Sequence, residues 1–170
     1  SFDRRDNNLY YTKDNVVSSC AMCNYMKYTH TDSNFIIYCN NIFNNFGSKN
    51  KWKNKHYVKC IKIGKHNNDC KGNRRETELT QKDIDKITAY KCYYCNNTNR
   101  IDQIGIDRVD PNLGYIKTNI LVACCSICNY MKKDHIIEEF YNHIIKVLLY
   151  NKKITQEQYD NNYKTAKRVT

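Results

Sequence analysis

The sequence has no run of apolar residues long enough to span a membrane, and it shows no secretory signal. Acidic residues are also few, since 17 Asp and Glu stand against 28 Lys and Arg. The hydrophobic fraction is 41% and depends on 15 Tyr more than on Leu or Val. These shortages exclude a membrane span and favour small, stapled cores over one large aliphatic core.

The excess of basic residues gives a formal net charge of +11 and a pI near 9.1. A field of this sign favours a polyanionic partner, most often nucleic acid, although basic ribosomal and capsid proteins have the same signature. We expect the protein in an intracellular reducing compartment or in a virion. We do not expect it to be secreted or bound to a membrane.

Cysteine is plentiful, and six of the ten cysteines form three Cys-x-x-Cys pairs. The pairs are Cys20/Cys23, Cys92/Cys95 and Cys125/Cys128. Two thiols at this spacing point the same way from a tight turn, and two such pairs form a closed tetrahedral zinc site. The alternative is a set of disulfides in a secreted scaffold, which the missing signal argues against. We therefore predict that the second and third pairs together bind one structural Zn²⁺.

One stretch of sequence occurs twice. Residues 105–132 read GIDRVDPNLGYIKTNILVACCSICNYMK, and the chain opens on SFDRRDNNLYYTKDNVVSSCAMCNYMK. Asp3 matches Asp107 at an offset of 104, and after one inserted residue Cys20 matches Cys125 at an offset of 105. Downstream, this offset aligns the helical apolar stripe Phe140, Ile144, Val147 and Leu148 with Phe35, Cys39, Ile42 and Phe43. We predict two duplicated units with one fold, in which Cys39 is a core residue and not a metal ligand.

The predicted fold class is α+β, with two duplicated, zinc-clasped ββα units and flanking helices. In the second unit we expect a helix at 80–90 capped by Thr80, strands at 104–110 and 119–124, and a helix that starts near Cys125. A longer helix is expected at about 134–150, with Asp134 as its N-cap and Asp32 in the same role in the first unit. Thr155 and Gln158 predict a capping box for a last helix, at about 156–168.

The expected domain organisation follows from the repeat. The first unit covers 1–46 and is truncated at its N-terminus, so that the chain starts inside it. A basic linker covers 47–79, the second unit 80–150 and a C-terminal helix 151–170.

The second copy resembles the zinc-knuckle type of HNH (His-Me finger) endonucleases over about residues 92–145. The resemblance lies in the string Cys-x-x-Cys, Ile-Asp-Arg-Val-Asp-Pro, Gly-Tyr, Asn and Cys-x-x-Cys-Asn-x-x-Lys, and a truncated copy covers 1–46. It implies a treble-clef-like ββα-metal unit. The variant resembles sequences of phage and large-virus proteins.

The resemblance assigns a role to each motif position. Asp107 resembles the family's metal-binding Asp, Asn119 the central Asn that orients the base, and Asn129 the helix residue that completes the metal site. Arg108 stands where the family has its general-base His. The first copy has Asp3, Arg4, Asn15 and Asn24 at these positions.

The arginine at the base position bears on activity. Arg stays protonated near neutral pH and cannot take a proton from water, but it can grip a phosphate. The resemblance therefore implies nucleic-acid binding with little or no nuclease activity. Mg²⁺ or Mn²⁺ is expected as a cofactor only if the protein cleaves. His135 and His143 could replace the base, although two solvent-facing helical histidines are the favoured interpretation.

The basic linker contains two further candidate features. Trp52 and Lys53 lie in a lysine-rich stretch, which suits phosphate contacts with base stacking, or else a solvated loop whose Trp fills a small core. Cys60 and Cys70 could complete a second zinc site with Cys20 and Cys23. The alternative is that the missing pair lies on sequence before residue 1.

Three functional classes remain after these observations. The first is a duplicated nucleic-acid-binding zinc module in which Arg4, Lys27, Arg108 and Lys132 contact phosphates. The second is an active metal-dependent endonuclease. The third is a zinc-stapled structural component of a virion or assembly. The expected partner is nucleic acid, DNA before RNA, with virion or assembly proteins as the other class.

Overall fold

Short antiparallel hairpins alternate with helices along the chain. The computed structural model describes residues 1–46, 79–97, 104–116 and 119–167, with side chains as far as residue 163. In chain order the elements are β1 (Phe2–Arg4), β2 (Val16–Ser18), α1 (Ala21–Lys27), α2 (Asp32–Phe46), α3 (Gln81–Thr88), β3 (Ile104–Arg108), β4 (Leu121–Cys125), α4 (Ser126–Lys132), α5 (Ile137–Tyr150) and α6 (Gln156–Lys167). The structure is thus of the α+β class, as predicted. The basic linker lies outside the described residues except for Leu79.

The two copies of the motif have the same local structure. Each consists of an antiparallel hairpin, a seven-residue helix and a longer helix. Asp3 lies opposite Val17 in the first hairpin, and Asp107 lies opposite Val122 in the second, so the strand register is also the same. The short helices begin after Cys20 and after Cys125, 105 residues apart.

Matching turns end the two short helices. Tyr28 and Lys133 follow α1 and α4 with φ values of 53° and 49°, which are uncommon for residues other than glycine. Each backbone N–H bonds back to the carbonyl of an asparagine, Asn24 in the first unit and Asn129 in the second. These bonds satisfy helix carbonyls that would otherwise lack a partner.

The long helices are not capped by the aspartates that the sequence suggests. The hydroxyl of Thr31 accepts a hydrogen bond from Asn34 N at 3.2 Å, so Asp32 is the first helical residue and not the N-cap. In the second unit the N-cap is Ile136, which makes no side-chain capping bond. Asp134 lies instead 3.8 Å from the guanidinium of Arg108. The prediction of Asp32 and Asp134 as N-caps is therefore wrong.

The other two predicted caps are confirmed. Thr80 accepts from Asp83 N, and the Asp83 carboxylate accepts from Thr80 N, which is a complete capping box at the start of α3. At the start of α6, Thr155 N donates to Gln158 Oε1 and Gln158 N donates to Thr155 Oγ1. Both helices start where the S/T-x-x-acid or S/T-x-x-amide pattern places them.

The two units share one main core, where the sequence favoured several small ones, and a second, small cluster contains Ile87, Leu121 and Ala123. Helix α2 packs against α5 and α1 against α4. The buried residues from both units form one cluster that includes Met26, Phe35, Cys39, Ile42 and Phe46 together with Cys124, Met131, Phe140, Ile144 and Leu148. Cys39 is fully buried there, as predicted. Pairing helices across the repeat lets two short units bury one continuous apolar surface.

Equivalent residues meet where the short helices touch. The rings of Tyr25 and Tyr130, which match in the repeat, stack with centroids 4.9 Å apart and planes at 8°. Tyr28 lies against Tyr130, and the ammonium of Lys133 lies over Tyr25 at 4.3 Å. Contacts between equivalent residues are those of a two-fold interface. The repeat is therefore arranged like an intramolecular dimer.

Candidate metal centres and repeated motif positions

Four cysteines of the second unit converge on one point. Cys92 and Cys95 lie in the turn after α3, and Cys125 and Cys128 lie at the N-terminus of α4. Their sulfur atoms all lie within 4.8 Å of one another, and the Cys95 and Cys125 sulfurs are 3.7 Å apart. The structure thus brings together the four residues predicted from the spacing.

The donor set and the geometry fit a tetrahedral metal ion. Zn–S bonds of about 2.3 Å place two sulfurs of a tetrahedral site about 3.8 Å apart. The turn is held by Cys92 N, which bonds to Asn97 O, and by Tyr93 N, which bonds to Ala123 O of β4 at 2.8 Å. Since β4 leads directly into Cys125, this last bond fixes the two cysteine pairs relative to each other. This group can hold a structural metal.

Crowding perturbs the thiols of this group. Hydrogen bonds from neighbouring thiols, that of Cys124 first, lower the pKa of Cys92. The hydrogen bond with Cys125 raises the pKa of Cys128 well above its ordinary value. Four thiols in contact cannot all ionise unless a cation compensates their charge. A divalent metal supplies such a charge and binds the thiolate form.

The first unit presents a second group of ligands. Cys20 is the N-cap of α1, and its sulfur accepts a hydrogen bond from Cys23 N at 3.3 Å. The Nε2 atom of His143, on α5 of the second unit, lies 3.0 Å from the Cys23 sulfur and 3.8 Å from the Cys20 sulfur. The three ligand atoms lie within 4.8 Å of one another, and this group too can hold a metal.

The sequence interpretation missed His143 as a candidate metal ligand. The sequence places it in solvent, but its side chain is half-buried and burial lowers its pKa, which favours the neutral imidazole that binds metals. Burial also raises the pKa of Cys23 to about 12. Cys60 and Cys70, the predicted partners of Cys20 and Cys23, lie outside the described residues.

Asp107 makes contacts that differ from those of a divalent-metal ligand. Its carboxylate is buried, accepts a hydrogen bond from Tyr94 Oη and lies 3.1 Å from Lys132 Nζ. Burial raises the pKa of Asp107, and the charge of Lys132 acts against that rise. Lys132 Nζ also donates to Arg108 O at 2.9 Å.

The same contacts recur in the first unit. Lys27 Nζ lies 3.0 Å from an Asp3 oxygen and donates to Arg4 O at 2.7 Å. The side chains of Lys27 and Asp3 are 4% and 9% exposed, against 0% and 6% for Lys132 and Asp107. Neither aspartate belongs to either of the two ligand groups found among the described residues. In both units the repeated Asp and Lys form an internal ion pair.

The central asparagines hold the loop inside each hairpin. Asn119 Nδ2 donates to Asp110 O at 2.9 Å and to Gly114 O at 3.0 Å, while its Oδ1 accepts from Asp110 N at 3.3 Å. Asn15 makes the equivalent bonds to Asp6 O, Tyr10 O and Asp6 N. One buried amide therefore satisfies three backbone groups of a loop, which explains why this position is Asn in both copies.

The arginines at the predicted base position bind the same loops. Arg108 is buried, donates to Pro111 O and Leu113 O, and lies over the ring of Tyr115. Arg4 donates to Leu9 O and lies over the ring of Tyr11 at 4.8 Å. Each guanidinium thus stacks on an aromatic ring and caps loop carbonyls of its own hairpin.

The helix asparagines differ between the units. Asn24 donates to Phe2 O at 3.1 Å and to Ser1 Oγ at 3.2 Å, so it ties α1 to the first strand. Asn129 is exposed. Neither side chain lies with an aspartate in a metal site of the described residues.

The predicted phosphate contacts of Lys27 and Lys132 are wrong for this structure. Both ammonium groups are buried in ion pairs, so neither reaches the surface. Arg108 is also buried, and only Arg4 is partly accessible. Trp52 and Lys53 lie outside the described residues.

The net charge is unevenly distributed along the sequence. The ranges 1–46, 79–97, 104–116 and 119–163 contain thirteen Lys and Arg and thirteen Asp and Glu. The basic linker contains ten Lys and Arg and three Asp and Glu, and residues 164–170 contain three basic residues and no acidic one. The basic character of the chain therefore belongs mainly to two segments outside the framework that carries the candidate metal ligands.

The fold and the two ligand groups define an α+β chain with two groups of residues that could hold structural metals. The chain is 34% identical over 151 residues to an uncharacterized protein of Acanthamoeba polyphaga mimivirus. This match covers 78% of the chain and 26% of the viral protein, so the chain spans about a quarter of its relative's length. No protein-family model and no solved structure matches the chain.

The viral relative and the helices of the structure bear on two expectations. The relative is a viral protein, in agreement with the expected resemblance to phage and large-virus sequences, but no comparison identifies an HNH protein. Among the helices of the described ranges, none has the length and apolar character needed to cross a bilayer.

Proposed function

We propose that the chain is a nucleic-acid-binding zinc protein that is related to the HNH endonucleases but does not cleave. The uneven distribution of charge carries this proposal. A framework of balanced charge has no excess charge to attract a polyanion, whereas ten basic residues within one linker of 33 residues favour one. The folded units are thus a scaffold, and the basic linker is the principal contact with phosphates.

Zinc is the metal that fits the scaffold best. Four thiolates in tetrahedral reach favour Zn²⁺ over the oxygen-preferring ions Mg²⁺ and Ca²⁺. The sulfurs of Cys92, Cys125 and Cys128 are shielded, since these residues are each 1% exposed. A site with four protein ligands and no open position has a structural role and not a catalytic one.

The contacts of the motif residues support binding without cleavage. A hydrolytic HNH site needs a carboxylate free to hold a divalent ion and a base that can accept a proton. Here Asp107 is neutralised by Lys132, and Arg108, at the base position, is engaged with loop carbonyls. The first unit repeats both features with Asp3, Lys27 and Arg4.

A matched set of variants tests the binding surface. In one variant Lys51, Lys53, Lys55 and Lys59 of the basic linker are changed to Gln. In the control the same number of exposed scaffold lysines, Lys82, Lys86, Lys91 and Lys152, are changed to Gln. Binding of a fluorescent DNA duplex is measured by anisotropy at several salt concentrations.

The linker variant should show the larger loss of affinity and of salt dependence. The logarithm of the binding constant falls with the logarithm of the salt concentration. Each phosphate that a lysine no longer neutralises makes this slope less steep by about 0.9, so four such phosphates account for about 3.6. The control should change that slope by less than about 1. Trp52→Ala should weaken binding of a single strand by about 1–3 kcal/mol if this ring stacks on a base. Equal effects of the two lysine sets would contradict the assignment.

A plasmid-nicking assay tests the absence of cleavage. The wild-type protein is incubated with supercoiled DNA and Mg²⁺ or Mn²⁺, beside the Asn129→Ala variant. Asn129 is exposed, so its replacement should leave the fold intact. We expect no nicking by either protein. Nicking by the wild type that Asn129→Ala abolishes would show an active HNH site and overturn the non-catalytic assignment.

A further inference from the structure

The two halves of the chain meet at Cys20, Cys23 and His143. The two cysteines belong to the turn that starts α1, whereas His143 lies on α5, 120 residues beyond Cys23. The Nε2 atom lies 3.0 Å and 3.8 Å from the two sulfurs. A tetrahedral zinc ion with Zn–S bonds of about 2.3 Å and a Zn–N bond of about 2.0 Å gives S–N separations of about 3.5 Å. The observed distances lie on either side of that value.

The Cys20–Cys23 turn has the same backbone conformation as the Cys125–Cys128 turn. Cys20 has φ −66° and ψ 156°, and Cys125 has φ −71° and ψ 156°. Each is the N-cap of a seven-residue helix and is followed by a second cysteine three residues later. In the second unit this turn faces the other cysteine pair, Cys92 and Cys95. In the first unit, among the described residues, it faces His143.

The position of His143 is fixed by packing and not by a flexible loop. Its neighbours Phe140 and Ile144 are 1% and 0% exposed in the core shared by the two units. A reciprocal contact, from the first unit to the cysteine turn of the second, is present at the other end of the interface. There Asn45 of α2 donates to Tyr93 O and Tyr94 O, within the Cys92–Cys95 turn. Each long helix thus reaches the cysteine turn of the other unit.

We propose that Cys20, Cys23 and His143 bind one Zn²⁺ and that this ion joins the two units. The ion would hold the N-terminal hairpin against α5. A cross-link between residues this distant in sequence should stabilise the fold strongly. It restricts the unfolded chain, and the entropy lost on closing a loop grows with the length of the loop. The proposal does not depend on nucleic-acid binding.

The two zinc ions should differ in how readily they exchange. Among the described residues this group offers three ligands, and Cys20 is exposed, so this site is more open to solvent and to chelators than the other. The cysteines of the other site are largely buried. A chelator should therefore remove one zinc per chain quickly and the other slowly.

The test is the zinc content of full-length variants, measured by native mass spectrometry after buffer exchange without a chelator. The wild type should carry two Zn²⁺ per chain and His143→Ala one. The control is His135→Ala, another histidine of the second unit, which faces Glu139 and should keep both ions. His143→Cys should restore the second ion, because a thiolate can replace the imidazole as a ligand.

Hydrogen exchange provides the structural readout. In His143→Ala the amides of β1, β2 and α1 should exchange faster, while those of β4 and α4 keep their wild-type protection. The proposal fails if the wild type binds only one zinc, if His143→Ala keeps two, or if His143→Cys leaves the count at one. If the wild type carries both ions but does not bind DNA, the result counts against the proposed function and leaves the second zinc site intact.

Discussion

Replacing Lys132 with Met removes the cation from a buried ion pair and leaves the Asp107 carboxylate behind. Lys132 is 0% exposed and contacts both the Asp107 carboxylate and the Arg108 carbonyl, at 3.1 Å and 2.9 Å. Breaking a buried pair by removing one partner costs about 3–5 kcal/mol. Since small proteins are stable by about 5–15 kcal/mol, this loss is at least about a fifth of the total stability.

The double variant Asp107→Asn with Lys132→Met isolates the pair. It removes both charges, so its loss of stability should be smaller than the sum of the single losses by about 1–3 kcal/mol. The assay is urea unfolding followed by circular dichroism, with zinc present throughout. Lys133→Met is the matched control, since the side chain of this exposed neighbour lies over Tyr25 and its loss should cost no more than about 1 kcal/mol.

The result separates a role in folding from a role in catalysis. If Asp107 served a divalent ion in a nuclease site, its partner Lys132 would be dispensable for stability. A Lys132→Met protein as stable as the Lys133→Met control would therefore refute our interpretation of the motif. A loss of several kcal/mol, with coupling to Asp107, supports it.

Three further predictions concern the metal, the loop and the interface. Cys125→Ser should lower the zinc content by one ion and reduce the helical circular dichroism signal, because α4 starts at this ligand; unchanged zinc content would contradict the four-cysteine site. Asn119→Ala should cost about 1–3 kcal/mol in urea unfolding, since it leaves three partly buried loop groups without their partner, and Asn15→Ala should have a similar effect; a neutral result at both would refute the loop role. Tyr130→Ala should cost about 0.5–1.5 kcal/mol more than the removed apolar area explains, and combining it with Tyr25→Ala should show coupling if the two rings stack.

The local features of the fold could be predicted from the sequence. Apolar periodicity identified the helix containing Phe140 and Ile144, and the cap at Thr80 and the capping box at Thr155 located two helix starts. Cys-x-x-Cys spacing identified the four-cysteine group. All of these signals lie within short stretches of sequence, where geometry follows directly from residue spacing.

The contacts between the units could not be predicted in this way. His143 becomes a candidate ligand only because α2 packs on α5, and the spacing on one helix does not show what another unit brings to it. The shared core was missed for the same reason. It depends on how the repeated helices pair in space.

The burial of Lys132 does have a signal in the sequence. The motif repeats Asp107 together with Lys132 in the positions of Asp3 and Lys27, so acid and base occur as a pair in both copies. A lysine in a basic protein is most simply interpreted as a surface charge. Its recurrence with a strand aspartate is the indication of an internal ion pair.

The metal content of the purified chain tests the central claim most directly. Elemental analysis of the wild-type protein, beside a variant in which Cys92 and Cys95 are both changed to Ser, gives the zinc bound per chain. We expect two zinc ions in the wild type and one fewer in the variant. A wild-type protein that is folded and carries no zinc would contradict this claim.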